Sequence, residues 1–190
     1  MHPYRIPCRG QRSDKGQIAA DQGSPVNAEL QKKLQKKAGA LLARRAYSRG
    51  DIRRKLLKIA DGSVVDIVLD RLEQLKLLND IDYAYNFALS RIGREGWGPE
   101  KIRRALRGRQ VSYSDISTAL DQIRALTGDD YALAEYLKKY FGKKGMPEDA
   151  SGFRKLVSHL RRRGYHRDSI IGILKHTLPA EWMRYFNSGD

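Results

Sequence analysis

Three runs of cations recur about fifty residues apart in this sequence: Arg53-Arg54-Lys55, then Arg103-Arg104 with Arg107 and Arg109, then Arg161-Arg162-Arg163. Arg44, Arg45 and Arg49 precede the first run. A guanidinium fork grips carboxylate or phosphate through paired N–H groups and is never deprotonated. The chemistry on offer is therefore recognition of an anion, not bond making. The whole chain follows suit, with 37 Lys+Arg against 22 Asp+Glu over 190 residues, a formal charge of +15. A small soluble domain ordinarily carries a net charge of magnitude ~2–8. Excess of one sign repels itself, and a polyanionic partner relieves that repulsion.

The charge is phased. Residues 31–58 hold eleven bases and one acid, 91–111 seven bases and two acids, and 138–167 ten bases and two acids. Between them, 59–90 holds two bases and six acids, and 112–137 one base and five acids. One cationic cluster on a helix is usually just a solvated face. Three at the same phase of a repeat predict a stripe that binds nucleic acid or an acidic protein groove, two partners that charge alone does not separate.

Catalytic chemistry finds no foothold. Gly93-Arg94-Glu95-Gly96-Trp97-Gly98 lacks the order of a dinucleotide loop and has no strand before it, and Gly142-Lys143-Lys144-Gly145 lacks the spacing of a phosphate loop. His159, His166 and His176 are too far apart to make a helical metal pair. Cys8, the single cysteine, has no histidine beside it to activate a thiolate and none to pair with in a disulfide. No carboxylate pair stands in an apolar setting. The expectation is a protein that is not an enzyme and needs no cofactor or metal. Tyr83, Tyr85, Phe87, Tyr131, Tyr136, Tyr140 and Phe141 fall at core spacings, and most are expected in the core, which leaves Tyr47 and Trp97 as the exposed aromatics open to base stacking.

The elements that would carry these residues are helical. Leu30, Leu34, Ala38, Leu41 and Leu42 form one stripe, Ile52, Leu56 and Ile59 a second, and Val65, Val68, Leu69, Leu72 and Leu75 a third. Ser48-Arg49-Gly50-Asp51, Ser63-Val64-Val65-Asp66 and Ser112-Tyr113-Ser114-Asp115 fit capping boxes. Pro99 opens another helix after Gly98. A shift of 54 lays Ile102, Leu106, Val111, Ile116 and Leu120 over Leu156, Leu160, Tyr165, Ile170 and Leu174. A shift of 50 the other way lays Ile102 and Leu106 over Ile52 and Leu56. Such a period marks tandem helical units that bury their faces on one another. The reading is all-α: three three-helix repeats in an elongated, curved array, at 27–79, 80–126 and 127–186, after a flexible tail at 1–26. The third round opens at Asp129, and 143–152 breaks its first helix.

No apolar run reaches the ~20 residues of a membrane span, and the first residues lack a signal-peptide core. A helix carrying Lys32 to Lys37 could meet an anionic membrane, but its apolar face has no interfacial aromatic, so a membrane partner is set aside. A cytoplasmic monomer is expected.

The run from Leu42 to Leu56, with Arg44-Arg45-Ala46-Tyr47-Ser48-Arg49-Gly50-Asp51-Ile52-Arg53-Arg54-Lys55 inside it, resembles the opening signature of the RecX family, regulators of the RecA recombinase. Leu78-Asn79-Asp80-Ile81-Asp82-Tyr83-Ala84 is similar to that family's entry into its second repeat, and Gly96-Trp97-Gly98-Pro99-Glu100-Lys101-Ile102 to its Gly-x-Gly-Pro segment. The resemblance spans about residues 38–178 and is loosest in the third repeat. Tyr47 stands where the family usually has His, and Asp51 where it has Glu.

The resemblance implies an inhibitor that lies in the groove of RecA–DNA filaments and limits filament growth, ATP hydrolysis, strand exchange and co-protease activity. Such a protein belongs to DNA repair, recombination and the SOS response. The expected contacts with RecA or DNA are Arg44, Arg45, Arg49, Arg53, Arg54, Lys55, Arg103, Arg104, Arg107, Arg109, Arg161, Arg162 and Arg163. Two other readings compete, a general DNA-binding helical repeat and a repeat protein for some other acidic partner.

Overall fold

The computed structural model describes residues 25–128 and 130–177. Residues 1–24 of the expected 1–26 tail, Asp129 and the end of the third repeat beyond 177 lie outside them, while Pro25 and Val26, assigned to the tail, open the first helix. Within the described residues there are nine helices and no strand. They are α1 (Pro25–Leu42), α2 (Arg49–Leu56), α3 (Gly62–Gln74), α4 (Asp80–Glu95), α5 (Pro99–Arg107), α6 (Tyr113–Thr127), α7 (Tyr131–Lys144), α8 (Ala150–Arg162) and α9 (Arg167–Thr177).

Local chemistry starts and stops them. The Ser48 hydroxyl accepts the Asp51 N–H at 3.1 Å and the Ser112 hydroxyl accepts the Asp115 N–H at 3.1 Å, so two of the expected caps form. Asn79 caps α4 by accepting from the N–H groups of Ile81 and Asp82, and Asp149 caps α8 by accepting from Gly152 at 2.6 Å. Gly96, in the left-handed region at φ 59°, closes α4.

The Ser63–Asp66 capping box does not form. Asp61 rather than Ser63 is the N-cap, so the helix begins two residues earlier, at Gly62, and the Asp66 carboxylate is held by the Arg53 fork at 2.8 and 3.1 Å. A bidentate charge-assisted pair outweighs a cap on an exposed helix end. Ile59 and Leu75 lie past the ends of α2 and α3, out of helical phase, and are exposed rather than inward. Helix α7 also runs on through Lys144, so the break before α8 is shorter than the sequence pattern suggested.

Three separate clusters of buried side chains result, one per helix triplet. Leu34, Ala38, Ile52, Leu56, Val68 and Leu69 belong to the first. Ala84, Ala88, Ile102, Leu106, Ile116 and Ala119 belong to the second, where the two alanines let α4 lie close on α6. Leu133, Leu137, Phe153, Leu156, Leu160 and Ile170 belong to the third. Every apolar position matched by the two sequence shifts is buried.

The triplets are joined by one device used twice. At each joint the N-terminus of one unit's second helix meets the turn between the second and third helices of the next unit, through a serine hydroxyl at the first and through orphan backbone N–H groups at the second. At the first joint the buried Ser48 hydroxyl donates to the Arg109 carbonyl at 2.7 Å, and the Arg49 N–H donates to Asp80 Oδ1 at 2.7 Å. At the second, the Gly98 N–H donates to the Arg163 carbonyl at 2.8 Å and the Glu100 N–H to the Gly164 carbonyl at 3.1 Å. Arg109 and Arg163 are the pair related by the 54-residue shift. Both joints are close: a Cβ on Gly50 would sit 2.4 Å from Gln110 Cβ, and one on Gly98 2.5 Å from the Gly164 carbonyl carbon and oxygen.

Candidate functional site

The expected basic residues divide into two sets. Arg49 forms ion pairs with Asp70 and Glu73, both at 2.7 Å, and Arg53 with Asp66. Those three acids fall at i, i+4 and i+7 on α3, so the acidic third helix of the first unit neutralises its own basic second helix. The Arg53 fork holds the Asp66 carboxyl below the usual carboxylate range. Arg54 pairs with Asp51 at 2.7 Å, and Arg103 with Glu100 at 2.5 Å. Arg44, Arg104, Arg107, Arg161 and Arg162 are exposed.

The second set is held on aromatic rings. The Arg45 guanidinium lies 4.5 Å from the centre of the Tyr47 ring, with the Lys55 ammonium at 5.4 Å. Arg109 lies 4.6 Å over Phe87, and Arg163 lies 4.6 Å over Tyr136. Neither Arg91 nor Lys101 was expected from the sequence. Arg91 sits 5.1 Å from both the Phe87 and Trp97 rings, and Lys101 is 4.4 Å over Trp97. Their signal was present as Phe87/Arg91 and Trp97/Lys101, aromatic and cation four residues apart.

Phe87 and Tyr136 pack against the cores of the second and third units, as their spacing suggested, and their half-buried edges also rim two grooves. Tyr47 and Trp97, expected to be exposed, are likewise half-buried and packed against the first and second cores. The groove between the first and second units has a volume of about 390 Å³ and is lined by Arg45, Tyr47, Asp51, Phe87, Arg91 and Arg109 among others. The groove between the second and third has about 760 Å³ and includes Trp97, Lys101, Tyr136, Lys139, Tyr140, Lys143, Lys144 and Arg163. The two share three corresponding features. Tyr47 and Trp97 stand fifty apart, each just ahead of its unit's second helix, and each groove places an arginine of the next unit over a ring on that unit's first helix. Phe87 and Trp97 touch edge to face at 6.2 Å, so Arg91 spans from one groove to the other. The result is one continuous track of rings and cations across both joints.

Polar bonds fix the larger groove. Arg163 donates to the Glu95 carbonyl and, at 3.1 Å, to His159 Nε2, while the Tyr136 hydroxyl lies 2.5 Å from that nitrogen. Burial, then the charges of Arg163 and Arg162, hold the His159 pKa down. Neutral His159 accepts where a charged ring would oppose Arg163. Among the described residues no group of His, Cys, Asp and Glu is arranged to hold a metal ion, and no helix is long and apolar enough to cross a membrane.

Residues 79–120 match a family model described as RecX, second three-helix domain. A regulatory protein RecX from Ectopseudomonas mendocina is 36% identical over 139 residues, covering 71% of this chain and 88% of the relative. One from Corynebacterium efficiens is 30% identical over 155 residues, covering 79% and 74%. A crystal structure of a regulatory protein RecX superposes with a TM-score of 0.61 at 25% identity, covering 76% of this chain and 71% of that one. That of RecX from Lactobacillus salivarius gives 0.65 at 20% identity, over 78% and 97%, and speaks to the fold alone.

Proposed function

This chain belongs to the RecX family, and from that premise we propose that it is a non-enzymatic inhibitor of the RecA recombinase, acting in the cytoplasm on RecA–DNA filaments. The observation that carries the reading is the track of cations and rings running across both joints between units. A filament repeats its own surface along its length. A ligand whose binding elements also repeat engages several equivalent places at once, and weak single contacts add up through effective concentration.

In this reading the protein seats in the filament groove and acts by occupancy. Its cations meet acidic loops or DNA phosphate, and growth, ATP hydrolysis, strand exchange and co-protease activity fall together because all need an intact filament. The test is the DNA-dependent ATPase of RecA with the protein added below one copy per RecA monomer. Strong inhibition is expected, and an unchanged rate refutes the proposal.

A further inference from the structure

We infer that the two grooves between units are consecutive subsites for one strand of single-stranded DNA, each taking a nucleotide with its base against a ring and its phosphate against the cations beside it. The inference deepens the reading above by assigning a DNA contact made by this chain itself, independent of the filament.

Three observations carry it. The first is the repetition: ring ahead of the second helix, ring on the next unit's first helix, arginine over that ring, present at both joints and linked by Arg91. A single periodic polymer is the ligand that uses such a repetition. The second is size. Grooves of about 390 and 760 Å³ fall in the range of sites for small organic groups, too small to seat a duplex. The third is composition. Lys101, Lys139, Lys143 and Lys144 line the larger groove, whose acids are Glu95, already paired with Arg91, and Glu135. Cations alone would suit an acidic peptide, but half-buried rings held rigid beside them add nothing to carboxylate binding and suit bases, every one of which has a π face.

Lys101 supplies the exchange. Its flexible ammonium covers Trp97 at 4.4 Å in the free protein. A base sliding onto the ring displaces it, and the released ammonium stands beside the incoming phosphate.

Trp97 is one of two tryptophans, so Trp182→Phe in the full chain makes it the sole reporter. Titration with oligo-dT is expected to quench its emission, and Trp97→Ala to weaken binding of labelled oligo-dT between about 5- and 100-fold, with Trp97→Phe restoring most of it. Lys143→Ala/Lys144→Ala, at exposed positions, is expected to reduce the slope of log affinity on log salt by about 1.4, at ~0.7 per phosphate contact. That variant decides the matter if Trp97→Ala does not fold. Absence of quenching, duplex of the same length binding as tightly as oligo-dT, or polyglutamate quenching Trp97 equally would each overturn the inference. Inhibition of RecA without oligo-dT binding sinks this inference and leaves the RecA reading standing, whereas oligo-dT binding with RecA unaffected does the reverse.

Discussion

Gly98→Ser isolates the joint between the second and third units. Gly98 has φ −82° and ψ 167°, extended backbone that serine adopts freely, and it is the N-cap of α5, where serine is preferred over glycine by a few tenths of a kcal/mol. Judged by its own helix, the substitution stabilises. The opposing force comes from the neighbouring unit. The new Cβ would lie 2.5 Å from the Gly164 carbonyl carbon and oxygen, against ~3.5–4.0 Å for unstrained carbon contacts. The units must part by about 1 Å, which stretches the Gly98 N–H to Arg163 bond from 2.8 Å and the Glu100 N–H to Gly164 bond from 3.1 Å out of range.

Two hydrogen bonds at ~1 kcal/mol each, with overpacking of ~1–3 kcal/mol, set the loss at about 3–5 kcal/mol, from which the capping gain removes only a few tenths. At ~2–4 °C per kcal/mol for a chain of this size, Tm falls by about 6–20 °C. Calorimetry reads the total, and hydrogen exchange at the amides of Gly98 and Glu100 reads the joint itself. RecA inhibition should weaken with it, since contacts of a separated third unit no longer add to those of the others. Gly142→Ala is the control: no atom lies within 4 Å of its added Cβ, and on α7 it is expected to raise stability by up to ~1 kcal/mol. A Gly98→Ser protein as stable as its parent, with both amides still protected, would refute the account of the joint.

Ser48→Ala is expected to cost about 2–3 kcal/mol in urea denaturation, because a fully buried hydroxyl both caps α2 and satisfies the Arg109 carbonyl; a loss under ~0.5 kcal/mol would contradict that role. Arg53→Glu sets like charges against Asp66, and since both side chains are about two-fifths exposed the loss stays under ~1 kcal/mol and is recovered by adding Asp66→Arg in a double-mutant cycle. Arg53 holds the Asp66 carboxyl below its usual range, so the pair's stabilisation is full above the unfolded pKa near 3.8 and is lost as pH falls through the lower folded value; Asp66→Asn should flatten that part of an acid titration. His159 runs on a different window. Its folded pKa lies below the ordinary histidine value of about 6.5, so the unfolded chain takes up the proton first and stability drops as pH falls below about 6.5, a dependence that His159→Gln should reduce in denaturation series from pH 8 to 5.

Helix positions were legible because burial imposes a period on apolar residues, and that period survives in one sequence without help from relatives. Ile52, Ile102 and Leu156 show it at three places in the chain. Helix ends were read less well. Ser63 and Asp66 have the spacing of a cap, yet Asp66 is taken by Arg53, thirteen residues away and on another helix. Spacing records what one helix offers, whereas the pairing depends on how two helices face each other.

The same limit shaped the reading of the cations. Summed by segment, the first unit is basic in its first two helices and acidic in its third, which suggested a basic stripe. Packing α2 on α3 instead joins Arg49 and Arg53 to Asp70, Glu73 and Asp66, and removes two of the most conspicuous arginines from the binding face. Lys101 takes their place at the second joint: it belongs to the basic segment 91–111 but stands outside the arginine run, and Trp97 holds it there, whereas Arg91, set between the Phe87 and Trp97 rings, is shared with Glu95. A charge sum counts ions without regard to what neutralises them. Whether a cation is available to a partner is decided by its nearest neighbour in space: a carboxylate consumes it, while an aromatic face positions it and leaves its charge in place.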